Sequence, residues 1–143
     1  MTMPKMTVWL ASAGLLLAAC GALAGEGAAS LKPVLGTWEF QEAAPAGGKA
    51  AQQRFVLTAR EQNTCMGGAP WYRAERVSAT LRDDVPAAYQ YRDGKLAVML
   101  DARICDAYTF YEGTVKGDAF SGKLVEAGWG RAVRGGVSGR RLR

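Results

Sequence analysis

"YTFYEGTVKGDAFSGKLVEAGWGRAVRGGVSGRRLR", residues 108–143, decides the fold. Apolar and aromatic residues alternate with polar ones through "YTFYEGTV", "AFSGKLVEA" and "AVRGGVSGRRLR". "KGD" (116–118) and "GWGR" (128–131) separate the three runs. The pattern reads as consecutive antiparallel strands joined by tight turns. In the middle run Phe120, Gly122 and Leu124 share one face, and Ser121 and Lys123 the other. Glycines inside strands weaken them, but they permit the bends and close approaches of a curved sheet.

Upstream, the same grammar continues. "PVLGTWEFQEA" (33–43) is followed by a loop of small residues, and then by "QQRFVLTAR" (52–60). A long irregular segment holds Cys65, Gly67, Gly68 and Pro70. "YRAERVSATLRDD" (72–84) alternates, with Val77, Ala79 and Leu81 on one face and Arg76, Ser78, Thr80 and Arg82 on the other. After Pro86, Asp93-Gly94 between two strand-like runs is the strongest turn signal in the chain and suits a type I′ hairpin. About eight short strands at even spacing predict an all-β domain. Hairpin-length turns without a crossover favour an up-and-down antiparallel barrel, with a β-sandwich as the alternative.

The start of the chain reads as an export leader. Lys5 is its only charge, and an apolar run from Val8 to Ala19 follows. That run is too short for a bilayer span. Leu17-Ala18-Ala19-Cys20 resembles the site at which a bacterial lipoprotein leader is cut before its lipidated cysteine. Ala22-Leu23-Ala24 offers a competing small-x-small site that would release a soluble periplasmic or secreted protein. The expected layout is a signal peptide over 1–19, a flexible tether over 20–31 and one β-barrel domain over 32–143. Nothing acidic follows Cys20 at once. By resemblance to lipoprotein sorting signals, this implies an outer-membrane lipoprotein facing the periplasm or the surface.

Cysteine usage agrees with export. With Cys20 given to lipid, Cys65 and Cys105 are left as one disulfide in an oxidising compartment. In a strict eight-strand meander these two would sit in loops at opposite ends, too far apart for the roughly 4–7 Å Cα separation a disulfide needs. The conflict disappears if "AAYQYR" is not an independent strand, or if the segment 60–71 folds back along the wall.

Near the first strand, Gly36-Thr37-Trp38 in "LGTWEF" resembles the Gly-x-Trp opening of the lipocalin, fatty-acid-binding and avidin group of barrels. In that group the tryptophan closes one barrel end, and an arginine late in the last strand packs across its ring. The resemblance implies that Trp38 pairs with Arg140 or Arg141, a cation–π contact of about 0.5–2 kcal/mol. The Thr-Asp-Tyr element of typical lipocalins and their C-terminal helix are missing.

The chain has no histidine, which removes His-based triads and the commonest metal ligand and neutral-pH base. Two body cysteines make a poor metal site, since a closed zinc site takes four ligands. Asp83, Asp84, Asp101, Asp106 and Glu112 fall in turns or at strand ends, where acids sit for solvation. No enzyme, catalytic residue, metal or cofactor is expected. Without residues 1–19 the chain has 17 Lys+Arg against 13 Asp+Glu, or +4, and nucleic acid is not an expected partner. The arginines of the last thirteen residues read either as a solvated strand face or as a contact for anionic headgroups or another acidic partner.

Binding remains. Phe55, Tyr91, Phe110 and Trp129, with Trp38 and Phe120, are candidates to line a cavity or to fill a solid core. Trp71-Tyr72 is an exposed patch or the plug of a barrel mouth. Two functions are expected from this. One is a lipid-anchored envelope protein that binds an apolar small molecule or lipid inside a lipocalin-like barrel. The other is the same barrel packed solid and acting on a protein partner, as a periplasmic inhibitor, an immunity protein or an envelope-complex accessory.

Overall fold

Asp93 and Gly94 take φ of 52° and 77°, the paired positive values of a type I′ turn, whose twist matches that of the strands it joins. In the computed structural model, which describes residues 30–44, 48–77 and 85–143, that turn links two of eight strands. These are β1 (Gly36–Glu42), β2 (Gln52–Glu61), β3 (Tyr72–Arg76), β4 (Ala87–Arg92), β5 (Lys95–Met99), β6 (Tyr108–Lys116), β7 (Ala119–Ala127) and β8 (Arg131–Arg141). Each pairs antiparallel with the next, and β8 pairs back onto β1, from Trp38 opposite Arg141 to Glu42 opposite Val137. The domain is therefore a closed all-β up-and-down barrel, not a sandwich. The expected leader and tether over 1–29, including Cys20, lie outside the described residues, as do Asp83 and Asp84.

Side chains alternate across the wall with the period of two that the pleat imposes. Inward, Trp38, Phe40, Phe55, Leu57, Ala74, Ala87, Tyr89, Leu96, Val98, Tyr111, Phe120 and Val137 form one buried cluster. Phe40 is its hub, with ring centroids 6.2 Å from Trp38, 6.1 Å from Phe55, 5.4 Å from Tyr111 and 5.3 Å from Phe120. Gly113 and Gly122 face each other across β6 and β7, with the Phe120 ring over both. A Cβ on Gly113 would come within 2.8 Å of Phe120 Cζ. The missing side chains make room for the ring and let the two strands bend together.

The parity of β3 differs from the expectation. Tyr72 and Ala74 face inward, so Arg76 follows them, and Val77 is exposed. The guanidinium of Arg76 lies 5.0 Å over the Phe55 ring, donates to the Leu100 carbonyl at 2.9 Å and also donates to Gln53. An inward cation is tolerated here because carbonyl oxygens and a π-face receive it.

A second cluster lies on the outer face of the same wall. Trp71, Ala88, Met99, Ala102 and Phe110 are buried together, with Tyr108 and Ala127 against them. Ala88 pairs with Met99, and Met99 with Phe110, so all three point away from the barrel interior. Residues 62–71, between β2 and β3, fold back over this patch. The Gln62 amide donates to the Trp71 carbonyl at 2.8 Å, and the Gln90 side chain donates to the Ala69 carbonyl at 2.7 Å. "AAYQYR" is thus a strand after all, and the flap is what reconciles the cysteines with the meander. Cys65 rides on the flap to the 100–107 loop and is bonded to Cys105, with Cα atoms 5.2 Å apart.

Candidate functional site

The ends of the barrel are built differently. At the end where β1 starts, a short helical turn precedes the strand, with the Val34 amide donating to the Leu31 carbonyl at 2.9 Å. Leu31 and Val34 are buried in the inner cluster, so Leu31, placed at the end of the tether by sequence, belongs to the core. The Trp38 indole N–H donates to the Val34 carbonyl at 2.8 Å. Arg141 lies across the Trp38 ring, 5.7 Å from its centroid, donates to the Pro33 carbonyl at 3.1 Å and holds Asp118 Oδ1 with Nε at 2.7 Å. Arg141, then Arg143, keep the Asp118 carboxyl below the usual carboxylate range.

Arg140 does not take part in this closure. As the next residue on a strand it faces outward, where Glu39 sits between Arg140 on β8 and Arg54 on β2. Arg140 Nη2 is 2.8 Å from Glu39 Oε1, and Arg54 Nη2 is 2.6 Å from Oε2. Arg140, then Arg54, lower the Glu39 carboxyl against the opposing effect of its burial.

The ring-lining residues divide. Phe55 is buried inside the barrel, and Tyr91 is half-buried against the inner cluster at the Trp38 end. Phe110 is no lining residue: its neighbour Tyr111 takes the inward position, and Phe110 packs against Trp71 outside, centroids 6.2 Å apart. Trp129 is at the tip of the β7–β8 hairpin with its side chain wholly in solvent, at 107% relative exposure. Trp71 is neither exposed nor a plug of the mouth; it anchors the flap. Its indole N–H is buried without an acceptor among the described residues.

Inside, two buried phenol hydroxyls are hydrogen-bonded to their neighbours. The Tyr111 hydroxyl donates to Glu42 Oε1 at 2.5 Å, and the Tyr89 hydroxyl to the Thr58 carbonyl at 2.7 Å. Burial, first of all, pushes both phenols well above their ordinary value, so they act as hydrogen-bond donors and not as bases. Asp101 pairs with Arg103, whose hydrogen bond lowers its carboxyl, and Glu112 pairs with Arg131. Among the described residues, no group of three or more His, Cys, Asp or Glu side chains could hold a metal ion.

The surface feature that sequence reasoning missed is a corner around the disulfide. Met66 follows Cys65, Ile104 precedes Cys105, and Gly128, beside Trp129, packs on Asp106. Met66, Ile104 and Trp129 are all exposed large apolar side chains, and the bridge and hairpin bring them to one corner. The signal was present in "GWGR": a tryptophan flanked by two glycines at a hairpin tip cannot reach either core. No protein-family model, curated protein or solved structure matches this chain.

Proposed function

We propose that this chain is an exported bacterial lipoprotein, tethered through Cys20, whose lipocalin-like barrel is packed solid and acts by binding a protein through its surface. Its role is that of a periplasmic inhibitor, an immunity protein or an accessory of an envelope complex. The observation that carries this reading over a lipid-filled barrel is the interior, where Phe40 touches four other aromatic residues. Leu31, Val34 and Arg141 fill the mouth through which an apolar ligand would enter at the Trp38 end. The contact surface is the corner of Met66, Ile104 and Trp129. Exposed tryptophan and methionine on a rigid frame are the residue types that dominate protein interfaces.

Native mass spectrometry of protein purified from its own cells tests the choice. An apo mass accompanied by a stoichiometric protein partner is expected, whereas a co-purifying lipid overturns the solid-barrel reading. Trp129→Ala should weaken partner binding by about 2 kcal/mol or more. Its melting temperature should stay that of the parent, because the side chain touches nothing in the fold.

A further inference from the structure

The tail arginines are not a free basic patch. Arg131 pairs with Glu112, Arg134 with Glu126, Arg140 with Glu39, and Arg141 and Arg143 share Asp118. The surplus of positive charge lies elsewhere, in the turns of one end. Around the Trp38 end stand Lys32 before β1, Arg92 and Lys95 at the β4–β5 turn, Lys116 at the β6–β7 turn, and Arg141 and Arg143 at the end of β8. Among the described residues the acids of that rim are Glu61, Asp93 and Asp118, and the last two are engaged by Arg92 and by Arg141 and Arg143. Lys32, Lys95 and Lys116 are exposed, with no ion-pair partner among the described residues.

Two further features belong to the same end. A groove there is bordered by Pro33, Pro70, Tyr72 and Tyr91, beside Arg92. Tyrosines with an apolar body and a polar tip suit the level of lipid headgroups. Ser30 and Leu31, ten and eleven residues after Cys20, also lie at this end. Ten residues reach at most about 35 Å, so a lipid on Cys20 would keep this rim nearer the bilayer than the Trp129 corner.

The geometry points to an end-on docking surface for anionic phospholipid headgroups, formed by Lys32, Lys95 and Lys116. It goes beyond the protein-binding role, which uses the opposite end. Attraction to an anionic leaflet is cumulative, each basic residue near the surface adding about fivefold to partition. It is screened within a Debye length of about 10 Å at 0.1 M salt.

Protein without the expected leader, residues 20–143 carrying Cys20→Ser, has no lipid and no apolar leader and isolates the electrostatic contact. Its co-sedimentation is measured with vesicles of phosphatidylcholine alone, and with vesicles also containing phosphatidylglycerol. Binding is expected only to the phosphatidylglycerol vesicles, and it should fade between about 0.05 M and about 0.5 M salt. The triple variant Lys32→Glu, Lys95→Glu, Lys116→Glu should lose at least about tenfold. A control with the same change of charge away from this end, Lys49→Glu, Arg131→Glu, Arg134→Glu, should stay within about twofold of the parent. Equal losses in both triple variants, equal binding to the neutral vesicles, or no binding to either would overturn the proposal. Each variant is first shown by melting to be folded.

Discussion

At the scale of single residues, placement turns on parity along a strand. Arg140 and Arg141 are neighbours in sequence, yet one crosses the Trp38 ring while the other is bound outside by Glu39. Glu39 is the one buried charged residue among those described, and two arginines hold its carboxyl below the ordinary value. A carboxylate with a depressed folded value contributes stability that is complete above its unfolded value, near 4.5, and lost as pH falls through the folded one. Asp118 adds the same dependence from the usual carboxylate range downward. The melting temperature should thus be flat near neutrality and fall steeply below about pH 4. Glu39→Gln should be weaker at neutral pH and less sensitive to acid, as thermal melts across the acid range would report. An unchanged slope would mean that Glu39 is not held as described. Parity was also the weakest part of the sequence reading. "YRAERVSATLRDD" alternates well in either phase, and only the inward Tyr72 and Ala74 settle that Arg76 points in.

Among elements, the β4–β5–β6 wall stands apart because part of its outer face is buried as well as its inner one. Tyr89, Val98 and Tyr111 face the inner cluster, and Ala88, Met99 and Phe110 face the flap. This explains why some elements were legible and others not. The meander of β6, β7 and β8 could be read from its turns, and the β4–β5 hairpin from Asp93-Gly94, because turn chemistry is local. The flap could not, since it has no period of its own and its place is set by the partner it covers. A trace existed in "AAY", "LAVML" and "YTFY", runs too continuously apolar for a wall with one wet face. The bridge that holds the flap joins residues 40 apart in sequence. By the loop-entropy account it stabilises the native state by about 4 kcal/mol. Reduction should lower the unfolding free energy by up to that amount and open residues 62–71 to proteolysis before the rest of the barrel. Equal stability and equal cleavage patterns with and without reductant would remove the bridge from the account.

For the whole molecule, the seam between the first and last strands is the decisive contact. Trp38 meets Arg141, and Phe40 meets Gly139, pairs separated by about a hundred residues of chain. Strands β2 to β7 each find both neighbours close in sequence, whereas β1 has one of its two only at the far terminus. A chain ending before Val137 should fail to fold: circular dichroism should show loss of the sheet, and the melting transition should vanish. Native-like melting of that truncation would show that the open sheet is stable by itself. Pairing of such distant segments is the slow part of folding. A polypeptide delivered amino end first therefore carries an unmatched β1 edge until Val137–Arg141 arrive. The eighth strand closes the barrel, and until it docks the first keeps one bare edge.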